Sequence, residues 1–239
     1  MSTSPAHTSR QSGTLALVRG GLVVSCQASP DEPLYGPVFM TAMAATAVRA
    51  GAVAVRVNGL DDLRAVRAAN LGVPVIGLWK DGEEGVYITP TLVHALAVVA
   101  AGADIVALDA TARPRPDGLS LAETIAAVHA GTSALVMADV ATCAEGRAAQ
   151  DAGADLVGTT LSGYTEDTLD RRSVDFELVE ALAVALDVPV LAEGRIVSPD
   201  QAVEAMRLGA WAVVVGGAIT RPGAITAGFV ARLAERTRS

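Results

Sequence analysis

The sequence predicts an α/β protein whose eight parallel strands close into a (β/α)₈ barrel. Eight short apolar runs alternate with longer, alanine-rich stretches along the 239 residues, which is the pattern of repeated strand and helix units. The runs start 30, 21, 31, 30, 22, 32 and 24 residues apart, and each spacing fits one strand, one helix and two loops. An open doubly wound sheet is the alternative, but its Gly-x-Gly-x-x-Gly turn after the first strand is absent from the sequence.

The strands are predicted at the apolar runs themselves, because strands covered on both faces are apolar throughout. In chain order they are Leu22–Gln27, Ala52–Asn58, Val73–Trp79, Asp104–Ala110, Ala134–Val140, Leu156–Ser162, Val188–Gly194 and Ala212–Ile219. Pro74 and Pro189 lie at the start of the third and seventh strands, where the missing N–H group is harmless. The intervening helices carry apolar residues at helical spacing, as in Leu60, Leu63 and Val66 or in Phe176, Val179 and Leu182.

Glycine recurs just before the second, fourth, sixth and eighth strands, as Gly51, Gly102, Gly153 and Gly209. We expect each of these glycines to end the preceding helix in the left-handed conformation. Residues 1–12 are polar and are predicted to form a disordered tail. The predicted barrel domain then covers residues 13–239.

The composition limits the classes of protein that this chain can belong to. Hydrophobic residues make up 51% of it, yet no apolar run reaches the length of a membrane span. The net charge of -8 argues against nucleic acid as a partner, although a local cluster of donors could bind a small anion. Cys26 and Cys143 have neither metal-ligand nor disulfide spacing. We therefore expect a cytoplasmic protein with free thiols.

Lys80 is the only lysine, beside 17 arginines, and it directly follows the third apolar run. Lysine loses its proton readily once it is desolvated, whereas arginine stays protonated, so Lys80 could act as an amine base. The alternative explanation is drift toward arginine, with Lys80 left by chance. The composition alone does not separate the two explanations.

Polar or charged residues end nearly every predicted strand. In order they are Gln27, Arg56 with Asn58, Lys80, Asp109, Asp139, Thr159 with Thr160, Glu193 with Arg195, and Gly216 with Gly217. Barrel enzymes carry their chemistry at this end of the strands. Solvent exposure of strand ends explains Asp109 equally well. It explains poorly why a glutamine, an arginine, the sole lysine and a glutamate should converge on one rim.

The loops after the seventh and eighth strands form the usual phosphate site of such barrels. Here they carry Gly194, Gly216 and Gly217, followed by Arg221. Glycine lets backbone N–H groups approach an anion, a helix N-terminus adds a favourable dipole, and arginine adds charge-assisted hydrogen bonds. A plain glycine-rich turn is the alternative, but the position after the eighth strand favours phosphate.

The sequence indicates neither a metal centre nor a histidine-activated nucleophile. The three histidines, His7, His94 and His129, lie in the tail and in helical segments, away from every strand end. A carboxylate-only metal site from Asp109, Asp139 and Glu193 is an alternative that nothing in their spacing requires. A phosphate site, an amine and carboxylates suit proton abstraction beside a carbonyl, or Schiff-base chemistry, on a phosphorylated metabolite.

Ten segments resemble the bacterial N-acetylmannosamine-6-phosphate 2-epimerase family, and together they run through nearly the whole chain after the tail. They are SCQASPDEPLY (25–35), AVRVNG (54–59), PVIGLWK (74–80), VYITPTL (86–92), ADIVALDAT (103–111), RPDG (115–118), MADV (137–140), DLVGTTLSGYT (155–165), LAEGRI (191–196) and VVVGGAITRP (213–222). Their combination is specific, whereas ALDAT alone would not be.

The resemblance implies a (β/α)₈ barrel that interconverts N-acetylmannosamine 6-phosphate and N-acetylglucosamine 6-phosphate in sialic acid breakdown. It also implies that the enzyme needs no metal or organic cofactor and forms a homodimer. Lys80 is similar to the family's catalytic acid/base, and Glu193 is similar to its carboxylate partner. Three residues resemble the family's sugar-binding groups, namely Gln27, Arg56 and Asp139. Four more resemble its phosphate contacts, namely Gly194, Gly216, Gly217 and Arg221.

On this resemblance we expect Lys80 to exchange the C2 proton of the opened sugar. We expect Glu193 either to assist ring opening or to supply a proton to the opposite face. The acidic segment 81–85 and Gly217 depart from the family pattern, in which a basic residue and a serine are common. Two rival hypotheses are a class I aldolase-like enzyme with a Schiff base on Lys80, and a non-catalytic barrel that binds sugar phosphates.

Overall fold

The structure is a computed structural model that describes residues 13–236. The predicted tail, residues 1–12, and the last three residues of the predicted barrel lie outside the described residues. Eight parallel strands pair in chain order, and the eighth pairs with the first to close a barrel. The strands are β1 (Leu22–Cys26), β2 (Ala54–Asn58), β3 (Val75–Leu78), β4 (Ile105–Asp109), β5 (Leu135–Asp139), β6 (Leu156–Gly158), β7 (Val190–Glu193) and β8 (Ala212–Val215).

A helix follows each strand, which confirms the predicted (β/α)₈ barrel. The helices are α1 (Pro37–Arg49), α2 (Leu60–Ala68), α3 (Leu92–Ala100), α4 (Leu121–Gly131), α5 (Cys143–Asp151), α6 (Phe176–Ala185), α7 (Pro199–Arg207), α8 (Gly217–Thr220) and α9 (Pro222–Arg236). Residues 13–18 are also helical, and a 3₁₀ turn at Glu166–Thr168 precedes α6. Within residues 13–236, no helix is both long enough and apolar enough to cross a membrane.

Two predicted strand ends are wrong. β6 ends at Gly158 rather than at Ser162, because the chain turns and the Ser162 N–H donates to the carbonyl three residues earlier at 3.2 Å. β8 ends at Val215 rather than at Ile219, because residues 217–220 form helix α8. The other six strands begin and end within two residues of their predicted limits.

The recurring glycines end helices as predicted. Their φ angles lie in the left-handed region that side chains disfavour, at 106° for Gly51, 111° for Gly102, 96° for Gly153 and 98° for Gly209. Two aspartates that follow these glycines have a role that the sequence did not reveal. Asp104 accepts a hydrogen bond from the Val75 N–H at 3.0 Å, and Asp155 accepts one from the Val136 N–H at 2.8 Å. Each aspartate therefore ties together the starts of two neighbouring strands.

Apolar side chains fill the barrel interior up to its last layer. The buried residues that pack there include one from each strand, namely Val23, Ala54, Ile76, Ile105, Leu135, Leu156, Leu191 and Ala212. Side chains alternate along a strand, so the residues two and four positions further on face the same interior. The alternation therefore points Arg56, Asp139 and Glu193 into the barrel mouth, which is the carboxyl-terminal end of the strands.

Candidate active site

Arg56 lies at the centre of a buried charge cluster in the barrel mouth. Its side chain is 1% exposed and donates to the two carboxylate oxygens of Asp139 at 2.6 and 3.1 Å. Its Nη1 also lies 2.9 Å from Oε2 of Glu193. A guanidinium has the planar fork that bidentate pairing with a carboxylate requires. One arginine therefore links β2 with β5 and β7.

Two adjacent threonines after β6 hold Glu193. The Thr159 hydroxyl accepts a hydrogen bond from the Glu193 N–H at 2.9 Å and donates to the Glu193 carbonyl at 2.8 Å, which fixes the main chain. The Thr160 hydroxyl lies 3.1 Å from Oε2 of Glu193 and 2.6 Å from Oδ1 of Asp139. Sequence reasoning placed both threonines at a strand end but gave them no role.

Glu193 has the electrostatics of a group that can both give and take a proton. Burial raises its pKa from 4.5 to about 7, and the nearby Asp139 carboxylate adds to the rise. Arg56 and Lys80 oppose this shift in pKa, as would a hydrogen bond that Thr160 donated to the carboxylate. A carboxyl with a pKa near neutrality is suited to general acid and general base catalysis.

Lys80 follows β3 and extends into the barrel mouth. Its Nζ donates to Oε1 of Gln27 at 2.9 Å, and Nε2 of Gln27 donates to the Ser25 hydroxyl at 2.8 Å. The backbone N–H of Lys80 donates to Oδ1 of Asn58 at 2.9 Å. Side-chain amides from two neighbouring strands thus fix both ends of the lysine.

The surroundings of Lys80 favour its neutral amine. Burial lowers its pKa, Arg56 and Arg221 lower it further, and Glu193 and Asp139 oppose the shift. The residue nevertheless keeps solvent-accessible surface, because it borders an open cavity. A bound molecule can therefore reach the amine.

The barrel mouth opens into a cavity of about 1300 Å³. Its lining includes all but one of the predicted site residues, namely Gln27, Arg56, Lys80, Glu193, Gly194, Gly216, Gly217 and Arg221. The exception is Asp139, which has no exposed surface and pairs with Arg56 beneath the cavity floor. The structure therefore brings the predicted lysine, the predicted glutamate and the glycine loops together.

The three predicted phosphate-site glycines differ in how strictly their positions require glycine. Gly194 has a φ of 118°, which a residue with a side chain rarely adopts. A Cβ added to Gly216 would approach Cβ of Ser25 to 3.3 Å, which is tighter than an ordinary contact. A Cβ added to Gly217 would come no closer than 3.9 Å to Cδ of Arg221, so a serine would fit there.

Arg221 is engaged by a carboxylate in this structure. Its Nε and Nη2 donate to Oε1 of Glu32 at 2.8 and 2.5 Å. The other oxygen of Glu32 accepts the Ser29 N–H at 2.9 Å, which holds the acid in the loop after β1. A phosphate bound at Arg221 would therefore compete with Glu32. No pattern in the sequence pointed to this pair.

Two residues of the predicted rim, Asp109 and Arg195, make contacts within the scaffold, and only Arg195 also lines the cavity. Asp109 is fully buried, pairs with Arg113 at 2.7 Å and is not part of the cavity lining. Arg195 donates to the carbonyls of residues 162 and 163 at 2.6 and 3.0 Å. Its guanidinium also lies 4.3 Å from the ring centroid of Tyr164. Arg195 thereby braces the loop after β6 from the loop after β7.

Tyr87 is a cavity residue that sequence reasoning missed. Burial raises its pKa to about 12, and the carboxylates of Asp109 and Asp139 add to the rise. Its hydroxyl therefore stays protonated at physiological pH and can donate a hydrogen bond to a molecule in the cavity. The only signal in the sequence was its place in the segment VYITPTL.

The part of the chain that the structure describes assembles no metal-ligand group. Among residues 13–236, no three His, Cys, Asp or Glu side chains are grouped as they would be around a metal ion. Cys26 and Cys143 are both free cysteines, and burial raises the pKa of Cys26 to about 12. The Cys26 thiol is therefore held in its unreactive, protonated form.

Comparisons with known proteins agree with this geometry. The family model described as "NanE: Putative N-acetylmannosamine-6-phosphate epimerase" matches residues 40–235. A "Putative N-acetylmannosamine-6-phosphate 2-epimerase" from Cutibacterium acnes is 56% identical over 217 residues, which cover 90% of this chain and 94% of the relative. A relative of the same name from Caldanaerobacter subterraneus is 48% identical over 225 residues, covering 93% and 94%.

Solved structures give the same result for the fold. The N-acetylmannosamine-6-phosphate 2-epimerase from Clostridium perfringens matches with a TM-score of 0.86 and 42% identity, covering 90% of this chain and 94% of that one. Thiamine phosphate pyrophosphorylase from Pyrococcus furiosus matches with a TM-score of 0.60 and 18% identity, covering 86% and 89%. At that identity the second match concerns the fold alone.

Proposed function

The chain belongs to the NanE family of N-acetylmannosamine-6-phosphate epimerases, and we propose that it interconverts N-acetylmannosamine 6-phosphate and N-acetylglucosamine 6-phosphate in amino-sugar breakdown. The observation that carries this proposal is that Lys80 and Glu193 share one cavity with the glycines after β7 and β8. An amine and a carboxyl of suitable pKa beside an anion site suit a phosphorylated sugar with an acidic C–H bond.

The substrate phosphate is proposed to bind at Gly216 and Gly217, with Gly194 and Arg221 beside them. The opened sugar then extends across the cavity toward Arg56, which places its C1 aldehyde beside the guanidinium. Gln27 holds the Nζ of Lys80 and so orients the amine toward the sugar.

The reaction begins when the lone pair of the Lys80 amine takes the proton from C2. The electron pair of the broken C–H bond forms a C1–C2 double bond, and the C1 oxygen takes up the negative charge. Arg56, with its guanidinium fixed in a water-poor site, stabilises that charge without reorganising. Return of a proton to the opposite face of C2 restores the aldehyde and yields the epimer.

Glu193 has two proposed roles that its pKa of about 7 supports equally. Its protonated carboxyl can assist ring opening, or it can supply the proton to the opposite face of C2. Asp139 orients Arg56 from below, and its charge is the reason that Arg56 can remain buried.

The test is an NMR assay of N-acetylmannosamine 6-phosphate with the purified protein in deuterated buffer. We expect N-acetylglucosamine 6-phosphate with deuterium at C2, because solvent exchanges with the proton held by the catalytic groups. Epimerised product without deuterium at C2 would rule out the proton-exchange mechanism. No epimerised product would rule out the activity.

The same preparation separates the two rival hypotheses. Borohydride added with substrate should leave no covalent adduct on Lys80, whereas a Schiff-base lyase would leave one. Lys80→Met should abolish turnover while retaining phosphate-dependent binding. A binding protein without catalysis would show no turnover before the substitution either. A metal chelator is expected to leave the rate unchanged.

We also propose that the protein is a cytoplasmic homodimer whose interface includes α9. No residue of this helix, Pro222–Arg236, is buried. Its apolar residues Phe229 and Val230 are 70% and 60% exposed. Exposed apolar residues also occur on helices α1 and α7, at Val38 and Val203. A second copy of the chain would cover these apolar surfaces.

Light scattering after size exclusion tests the dimer. The wild-type protein should have twice the mass of the chain, and Phe229→Glu should shift it toward the monomer. The matched control is Val184→Glu on α6, at a residue that is 83% exposed and lies away from α9. A monomeric wild-type protein would overturn this proposal.

A further inference from the structure

One hydroxyl in the barrel mouth lies between two carboxyl groups. Oγ1 of Thr160 is 2.6 Å from Oδ1 of Asp139 and 3.1 Å from Oε2 of Glu193. A threonine hydroxyl carries one hydrogen, so it can donate to only one of these two oxygens at a time. The three oxygens therefore need a second proton if both contacts are to be hydrogen bonds.

The shorter contact indicates that Thr160 donates to Asp139. A distance of 2.6 Å is typical of a hydroxyl that donates to an ionised carboxylate. Arg56 donates to both oxygens of Asp139, so neither contact needs a proton on this carboxyl group. The lone pairs of the Thr160 oxygen are then left to face Glu193, where they can accept a hydrogen bond from its protonated carboxyl but cannot stabilise its anion.

The charges around Glu193 favour the same arrangement. Arg56 contributes one positive charge that faces two acids, because it pairs with Asp139 at 2.6 Å and its Nη1 lies 2.9 Å from Oε2 of Glu193. Lys80 is the other basic group that acts on Glu193, and burial lowers its pKa. A proton on Glu193 therefore leaves the Arg56, Asp139 and Glu193 side chains without net charge, whereas an ionised Glu193 would place two carboxylates against one guanidinium.

We propose that Thr160 is a positioning residue that accepts a hydrogen bond from protonated Glu193 while donating to Asp139, and so keeps Glu193 loaded with the proton that it delivers to the substrate. The delivery step rests on the proposed epimerase function. The hydrogen-bond arrangement itself does not depend on any substrate.

The neighbouring threonine explains why the contact is well defined. Thr159 binds both the N–H and the carbonyl of Glu193, so the main chain of the glutamate cannot move away from the end of β6. Thr160 then fixes the side chain of the same residue. Two consecutive hydroxyls therefore hold Glu193 at its main chain and at its carboxyl group.

The test is a ¹³C NMR titration of the glutamate carboxyl groups, with the Glu193 signal assigned by its loss in Glu193→Gln. Thr160→Val keeps the shape of the side chain but removes the acceptor of the Glu193 proton. We expect the pKa of Glu193 to fall by about one unit in this variant, and Thr160→Ser to restore it. An unchanged or raised pKa would mean that Thr160 donates to Glu193, and would overturn the inference.

The control is Thr124→Val, since Thr124 is a fully buried threonine of α4 whose hydroxyl donates to the Ser120 carbonyl, away from the cavity. This variant should leave the Glu193 titration unchanged. Circular dichroism reports whether each variant folds, and Thr160→Ala replaces Thr160→Val if the valine variant does not.

Kinetics separate a failure of this inference from a failure of the proposed function. In the active enzyme, Thr160→Val should lower kcat more than it changes KM, and should move the basic limb of the kcat profile to lower pH. If the wild-type enzyme is active and Thr160→Val leaves the basic limb of its kcat profile in place, the inference about Thr160 is wrong and the proposed function stands. If the wild-type protein has no epimerase activity but the pKa of Glu193 falls in Thr160→Val as expected, the proposed function is wrong and the inference about Thr160 stands.

Discussion

The guanidinium of Arg56 and the carboxylate of Asp139 form a two-point ion pair, with N–O distances of 2.6 and 3.1 Å, in a part of the barrel mouth where neither side chain is more than 1% exposed. Removal of one partner from such a pair leaves an uncompensated buried charge. We expect Arg56→Met to lower the free energy of unfolding by about 3–5 kcal/mol, measured by urea denaturation.

The matched control for this substitution is Arg64→Met. Arg64 pairs with Asp61 at 2.9 Å on the surface of α2, where the two side chains are 60% and 84% exposed. Such a surface pair is worth less than about 1 kcal/mol, so the control should unfold almost as the wild-type protein does. An equal loss of stability in both variants would show that burial does not increase the contribution of the Arg56 pair to the free energy of unfolding.

Lys80→Arg tests whether the amine acts through its proton rather than through its charge. Arginine keeps the positive charge but does not give up its proton, so it cannot serve as the base. We expect kcat to fall by about 10²–10⁴-fold, with little change in KM for the sugar phosphate. A steady-state assay of epimerisation measures both constants. If Lys80→Arg kept the wild-type rate, a charge at this position would be sufficient and the lysine would not be the base.

Glu193→Gln should stabilise the protein at high pH while abolishing catalysis. The folded protein raises the pKa of Glu193 from 4.5 to about 7, so the wild-type chain loses stability as the pH rises from 4.5 through 7. Above that range ionisation of the buried carboxyl costs on the order of 3 kcal/mol, and the neutral glutamine avoids this cost. Denaturation of both proteins at pH 4 and pH 8.5 measures the difference.

At pH 4 the stabilities of wild-type and Glu193→Gln protein should converge, because the glutamate is protonated in both the folded and the unfolded chain. The control is Glu177→Gln, at an exposed residue of α6. That variant should show no comparable dependence on pH. If the wild-type protein were the more stable of the two at pH 8.5, the carboxylate would be better paired with Arg56 than its raised pKa implies.

The sequence predicted the barrel, and the place of most of the cavity residues at its strand ends, because both follow from short-range regularities. The spacing of apolar runs gave the eight strands, and the alternation of side chains explains why Arg56, Asp139 and Glu193 reach one interior. The end of β8 was mispredicted for a physical reason. The apolar pattern continues through Ala218 and Ile219, and nothing in it distinguishes a strand from the turn of helix that begins at Gly217.

The contacts of Thr160 with two acids and of Glu32 with Arg221, which the sequence did not predict, join residues far apart in the chain. Thr160 was visible as a strand-end hydroxyl, but its position between Asp139 and Glu193 depends on the closure of the barrel. Glu32 and Arg221 are 189 residues apart and meet only because β1 pairs with β8. Local sequence patterns do not indicate which side chains come into contact when the barrel closes.

Glu32→Gln tests whether the acid competes with the substrate phosphate for Arg221. The two side chains share a 2.5 Å contact at the edge of the cavity, where Arg221 is 46% and Glu32 25% exposed. A neutral amide binds the guanidinium more weakly than a carboxylate does, and it can still accept the Ser29 N–H. We expect KM for the sugar phosphate to fall several-fold with kcat unchanged, and this gain to shrink as salt is added.

The control for this prediction is Glu204→Gln, which removes the carboxylate partner of Arg207 from the surface of α7. It changes the net charge by the same amount, so an equal fall in KM would mean that only the overall charge matters. A rise in KM for Glu32→Gln would instead mean that Glu32 holds Arg221 in the geometry that binds phosphate. Measurement of KM at two salt concentrations separates these outcomes, because competition at a partly exposed pair is screened while a positioning role is not.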